Sequence, residues 1–275
     1  MIVGRGIMML LRYYLLTLPF RSNFFKTLYF NFKVFPFKIA IHLPVRIIGK
    51  AKLSGLYKGC VILVDESNIV PFSIVIGCRV FESSSVSYLK FSQGAKLQLC
   101  SNITISRGVN LSINKDATMY IGNDVYFNQN LFISCSHKIV IGDHVRVGWY
   151  VQIMDSNFHT MYDSEKKLFI SPRGEVNVGN YVWIGNHASL SKNAFIPSHS
   201  IVSSHSLVNR NYSNVTTTGN LFAGMPAMLK RTGIHRIFDK NTDRMIQSKF
   251  QGQLTMSRDL LEESILKSLN ENLCD

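Results

Sequence analysis

Between Val176 and Val208, aliphatic side chains return every six residues, at Val178, Ile184, Leu190, Ile196, Val202 and Val208. A second file lies four positions after the first, at Val182, Ala188, Ala194, Ser200 and Ser206. A period of six matches neither the 3.6-residue helix nor simple strand alternation, so neither structure would keep both files on one side. It predicts an all-β fold, the parallel β-helix, built from repeats that bury a face only by stacking. Each hexad makes one short strand and a turn, three hexads close one triangular coil, and coils stack at about 4.8 Å. The small residues of the second file suit tight corners.

The rhythm extends upstream through Ile105, Val109, Ile113, Ala117, Ile121-Gly122, Val125, Phe127, Leu131, Ile133, Ile141-Gly142, Val145, Val147-Gly148, Val151 and Ile153. The recurring Ile-Gly and Val-Gly pairs suggest corners with unusual backbone angles, which glycine tolerates. Residues 51–100 read as irregular early coils. The polar stretch from Asp155 to Glu175, with Pro172 and Gly174, breaks the period and is expected to project as a loop. The predicted organisation is a basic, aromatic, helical segment over 1–50, a β-helix domain over 51–231 and a helical tail over 232–275. In that tail Leu260, Leu261, Ile265 and Leu269 share helical spacing, with Glu262 and Glu263 outside.

At 275 residues and 46% hydrophobic, the chain suffices for one large domain with appendages. Its five cysteines are odd in number, scattered and without CxxC spacing. With no signal peptide evident, that pattern points to the reducing cytoplasm. The net charge of +13 is uneven: nine cations from Arg5 to Lys52 precede the first acid, Asp65. The apolar run from Ile7 to Phe20 is interrupted by Arg12 and Pro19 and is too short to span a bilayer. Cations interleaved with Tyr13, Tyr14, Phe20, Phe24, Phe25, Phe30 and Phe32 leave two readings open. Residues 1–35 either lie peripherally at the inner, anionic face of the cytoplasmic membrane or pack on the body or an oligomer interface. Nucleic acid is not an expected partner, because no binding module accompanies the charge.

Three motifs carry a resemblance: Ile153-Met154-Asp155-Ser156-Asn157-Phe158-His159, Val182-Trp183-Ile184-Gly185, and Ala223-Gly224-Met225-Pro226-Ala227 followed by Lys230-Arg231. Tyr29-Phe30-Asn31-Phe32-Lys33 with Leu43-Pro44 adds to it. Over residues 100–231 the chain resembles the hexapeptide-repeat acyltransferases, in particular O-acetyltransferases of surface-polysaccharide synthesis in the maltose and galactoside acetyltransferase-like branch. The resemblance implies a left-handed winding, an exception to the right-handed crossover rule, and a homotrimer with active sites between neighbouring coils. It also implies acetyl-CoA as donor, a saccharide acceptor and no metal.

By that resemblance His159 is the general base. Acyl transfer from a thioester to a sugar hydroxyl needs a proton removed as the oxygen attacks, and imidazole, with an ordinary pKa of about 6.5, suits that task. Asp155, four residues earlier, either orients the imidazole, binds the acceptor or is a solvated loop carboxylate. Asn128 matches an asparagine that contacts the acceptor. Where galactoside enzymes carry acids this chain has Cys135-Ser136, so the identity of the acceptor does not transfer.

Positions about eighteen apart should lie one above another, which stacks Asn186 on Ser204, His187 on His205 and Lys192 on Arg210. Two superposed cations repel unless an anion joins them. The resemblance assigns Arg210 and Arg231 to the phosphates of coenzyme A, Asn186 and Ser204 to its pantetheine arm, and Gly185 and Ala223 to close backbone approach. Trp183 is expected to pack. The His187/His205 pair invites a zinc reading, but no further closely spaced histidine completes a three-histidine site, and position 164 is serine. Neither Ser189 nor Ser191 has a recognisable base and acid for covalent catalysis. The remaining alternatives are N-acetylation of a nucleotide sugar, acetylation of serine, and a trimeric scaffold without chemistry.

Overall fold

The computed structural model describes residues 23–78, 85–250 and 252–273. The predicted features of residues 1–22, including Arg5, Arg12, Arg21, Tyr13 and Tyr14, lie outside the described residues.

The chain winds as a parallel β-helix with three faces. The first face begins at Val45–Ile47 and Ile74–Cys78 and continues through Tyr126–Phe127, Arg146–Val147, Trp183–Ile184, Ser200–Val202 and Asn220–Ala223. The second runs from Ala51–Ser54 through Phe132–Cys135, Gln152–Met154 and Ser189–Leu190 to Leu207–Val208. The third runs from Val61–Leu63 through Lys138–Ile141 and Glu175–Val178 to Phe195–Ile196. Every residue of both six-beat files is buried. One file supplies branched bulk to the interior. The other supplies the small groups that let the strands turn.

Spacing is eighteen residues only late in the chain, where Ile184 faces Val202 and Leu190 faces Val208. Earlier coils are longer, Phe127 facing Val147 and Leu111 facing Ile133, because extra residues are taken up at corners while the inward alternation is kept.

The corner glycines act differently from expectation. Gly122, Gly142, Gly148, Gly179 and Gly185 do not adopt positive φ. They are required because the next coil comes too close: a Cβ on Gly185 would stand 2.5 Å from the Ser204 nitrogen, and one on Gly148 would stand 2.3 Å from Asn186 Oδ1. The left-handed backbone angles belong to bulkier residues. Asp124, His144, Tyr181 and His199 form one such corner column, and Asn130, Tyr150, His187 and His205 form another.

Both ends of the stack are covered. Helix α1, Phe24–Val34, opens on Asn23, whose side chain accepts from the Lys26 amide, and stops before Pro36, as the proline predicts. Helix α2, Phe37–Ala40, follows. Phe30 and Val34 of α1, with Phe35 after it, plug the core from below. Asn31 exchanges hydrogen bonds with both backbone groups of Val45, and Thr27 Oγ1 accepts from the Ile47 amide at 3.0 Å. Side chains thus satisfy an edge strand that would otherwise invite pairing. At the far end Met228–Arg231 pairs antiparallel with Asn220–Ala223. The tail carries helices α3, Lys240–Lys249, and α4, Glu263–Leu273. Leu261, Ile265 and Leu269 form a small separate core there. Leu260 is exposed, contrary to the helical spacing, because Arg258–Leu260 is a 3-10 turn ahead of α4.

The stretch 155–175 is more ordered than a loop. It projects from the corner between the second and third faces as a hairpin, Met161–Asp163 against Leu168–Ile170.

Candidate active site

The sequence-predicted residues divide between two edges of the prism. Along the edge between first and second faces, successive backbone hydrogen bonds run from the Asn128 amide to Val147, from Gly148 to Ile184, from Gly185 to Val202 and from Ser203 to Phe222. Asn128, Gly148, Gly185, Ser203 and the residue after Phe222, Ala223, therefore form one column, with Asn186 and Ser204 in the column beside it. Gly185 keeps the column narrow, as the resemblance implies. Asn128 is half-buried, and its Oδ1 accepts from the Gln129 amide at 2.8 Å, which leaves its Nδ2 as a donor. Asn186 is partly committed to structure: its Oδ1 accepts from the Trp149 amide at 3.2 Å. Ser204 is exposed.

His159 belongs to the next edge. It is exposed on the outgoing arm of the hairpin, just beyond a neck fastened by Gly174 N to Asp155 O at 2.8 Å, by Asn157 N to Pro172 O at 2.9 Å and by a bridge between Ser156 and Arg173. Phe158 has φ of 63° immediately before it, so the backbone swings outward where the imidazole begins.

Asp155 does not have the environment expected of it. Its carboxylate is wholly buried and accepts from the backbone amides of Ser136, His137 and Lys138. Those partners use its lone pairs on the coil below. Cys135 Sγ lies 3.6 Å from the same carboxylate. Burial, reinforced by the Asp155 charge, pushes the Cys135 thiol pKa up, so this cysteine provides no thiolate nucleophile.

The stacking of Asn186 on Ser204 and of His187 on His205 is present. The two imidazoles lie face to face at 4.8 Å and 3°, with the Tyr150 ring 5.0 Å from His187. Tyr150 was missed because its interval to His187 includes the hairpin. Among the described residues, no group of three or more His, Cys, Asp or Glu side chains is arranged to hold a metal ion.

The register changes at the corner that carries Lys192 and Arg210. Leu190 faces Val208, but Phe195 bridges to Asn211, so two residues are dropped at that corner and the register slips. Lys192 Nζ donates to the Ser171 carbonyl at 2.7 Å, tying the hairpin's return arm to the coil above. Arg210 is exposed at that corner, while Arg231, opposite Leu221, is exposed on the first face. Trp183 remains 41% exposed, with the Arg236 guanidinium 5.1 Å above its ring.

No family model matches the chain, and no curated protein matches it. Solved structures similar to it include the polysialic-acid-specific acetyltransferase NeuO, 13% identical over 83% of this chain and 98% of that one, TM-score 0.47. The polysialic acid O-acetyltransferase OatWY is 17% identical over 81% of this chain and 97% of that one, TM-score 0.43. A hexapeptide-repeat acetyltransferase of Vibrio cholerae O1 biovar eltor, complexed with acetyl coenzyme A, is 25% identical over 42% of this chain and 60% of that one, TM-score 0.35.

Proposed function

We propose that this chain transfers an acetyl group from acetyl-CoA to a sugar hydroxyl of a surface polysaccharide or its precursor, as a homotrimer. In the reaction His159 removes the hydroxyl proton as the oxygen attacks the thioester carbonyl. The tetrahedral adduct collapses, the carbon–sulfur bond breaks, and the imidazolium returns the proton to the departing thiolate, so no acyl-enzyme forms. Asn128 Nδ2 donates to the acceptor, and the groove narrowed by Gly185 and Ala223 takes the pantetheine arm beside Asn186 and Ser204. Arg210 and Arg231 meet the donor's phosphates.

The observation that carries this reading is the division of motif-matched residues between two edges. The second face, four residues wide at Phe132–Cys135, separates Asn128 from the His159 hairpin by about 13 Å along the strand. A proton acceptor needs hydrogen-bond reach. The donor groove of one copy and the hairpin of its neighbour answer that requirement, as do Arg210 and Arg231 from different copies. Exposed Phe25, Tyr29, Phe32 and Phe37, with Lys26, Lys33 and Lys38, support a peripheral position at the cytoplasmic face of the membrane and a lipid-linked acceptor. No helix among the described residues is long and apolar enough to cross a membrane.

The test uses the purified full chain with labelled acetyl-CoA and candidate polysaccharide acceptors. His159→Ala should lower transfer about 10²- to 10⁴-fold, and Asn128→Ala should raise KM for the acceptor. Co-assembly of His159→Ala with Asn128→Ala should give more activity than either variant alone if the site is shared between copies. Transfer by His159→Ala at the wild-type rate would end the assignment, and a monomer in solution would end the shared site.

A further inference from the structure

Residues 234–238 lie over the edge between third and first faces and form the wall of a shallow cleft, open to solvent, lined by Tyr181, His199, Ser200, Ile201, His235, Arg236 and Phe238. The lining holds one guanidinium and two imidazoles and no carboxylate. We propose that this cleft is a binding site for a small molecule carrying an oxyanion, phosphoryl or carboxylate, recognised by Arg236 with His199 and His235.

Three observations carry it. First, Arg236 is sandwiched between Trp183 and Phe238, its guanidinium carbon 5.1 and 5.2 Å from the two ring centroids. The rings fix the plane of the fork, and among the described residues Arg236 makes no hydrogen bond or ion pair that would use its donors. Cation–π contacts to the ring faces leave the N–H edge for a planar bidentate partner. Second, Arg146 approaches the same Phe238 ring at 5.9 Å, so two like charges flank one aromatic. Asp124 is already engaged, 2.5 Å from Arg146 Nη2 and 3.0 Å from His144 Nδ1. Burial and then the Arg146 charge push the Arg236 pKa down, Asp243 partly offsetting them, which is the signature of a cation with insufficient counter-charge. Third, the His199 ring is stacked on Tyr181 at 4.9 Å and 13°, and Tyr181 meets Phe238 edge-on. Tyr181 packs against both rings, which places the His199 imidazole in the lining of the cleft. Arg236, His199 and His235 share this lining with no carboxylate among them. The site lies on a different edge from both His159 and Asn128 and does not depend on acyl transfer.

Calorimetric titration of the full chain at low ionic strength, with inorganic phosphate as probe, tests the proposal. Saturable binding is expected, weakened at least about tenfold in Arg236→Gln and unchanged in Lys267→Gln, an exposed cation on α4, and in His159→Ala. His199→Gln, which leaves the Arg236 sandwich intact, should weaken binding by about threefold and guards against a variant in which residues 234–238 merely come loose. Glucose 6-phosphate and glucuronate, compared with neutral glucose, distinguish a phosphorylated ligand from a sugar acid. No saturable binding of any anion, equal binding by Arg236→Gln, or equal binding of neutral glucose would each overturn the proposal.

Discussion

Asp155 Oδ1 stands 2.7 Å from the amide nitrogen of Ser136 on the preceding coil, while Oδ2 accepts from the next two amides at 2.8 Å. One buried carboxylate thus fastens the base of the hairpin that carries His159. In Asp155→Asn, an NH₂ group must face backbone donors that have no other acceptor, at a cost of about 3 kcal/mol. Urea unfolding measures this as a lower midpoint with the same slope. A midpoint equal to wild type would mean that the hairpin is held by its other fastenings alone.

Gly185 predicts a second loss. Alanine there would bring Cβ to 2.5 Å from the backbone nitrogen of Ser204, and a stacked coil cannot shift without breaking its ladder. Overpacking of this kind costs about 1–3 kcal/mol. Calorimetry should show a melting temperature lower by roughly 2–12 °C, and coenzyme A binding should weaken in the same variant if the narrow column guides the donor.

Asn31 binds both the N–H and the C=O of Val45, so Asn31→Leu leaves two buried backbone groups unpaired. Each costs about 1–3 kcal/mol. Hydrogen exchange should accelerate at Val45 and Ile47 before it changes in the central coils. Uniform exchange throughout would argue against a separable lid.

The carboxyl of Asp124 lies below its ordinary pKa: burial raises it, but hydrogen bonds from Arg146 and His144 more than offset that effect. A carboxylate with a depressed folded value contributes stability above its unfolded pKa of about 3.9 and loses it as pH falls through the folded value. Asp124→Asn should therefore be less stable at pH 7, by under about 1 kcal/mol because the side chain is 43% exposed. Denaturation curves from pH 7 to pH 2.5 should converge towards the acid end; a gap that stays constant would mean that the ion pair contributes nothing.

The inward files were legible because burial imposes the same demand at every coil, and Val178 through Val208 record it directly in their spacing. Asn128, Gly185 and Ala223 were each marked by motif position, and the ladder places them on one edge. What escaped notice depends on neighbours distant in the chain. Gly185 could be recognised as a glycine position, but its reason, the Ser204 nitrogen, appears only when coils are superposed. The buried setting of Asp155 was not among the readings open for it, imidazole partner, acceptor ligand or loop acid, because its partners are backbone amides, which have no residue signature. The shortened corner between Leu190 and Phe195 escaped because dropping two residues there leaves the apolar rhythm intact. The alternation Ile234-His235-Arg236-Ile237-Phe238 was the available signal for the Arg236 cleft, but its apolar and charged members follow no period of the fold.

The side chains that satisfy Val45 and Ile47 precede those residues in the polypeptide, so translation produces the seal before the surface it seals. Each later strand then has a finished template behind it and emerging polypeptide ahead of it. The starting rim need never stand open to another nascent chain, and winding proceeds in the direction of synthesis.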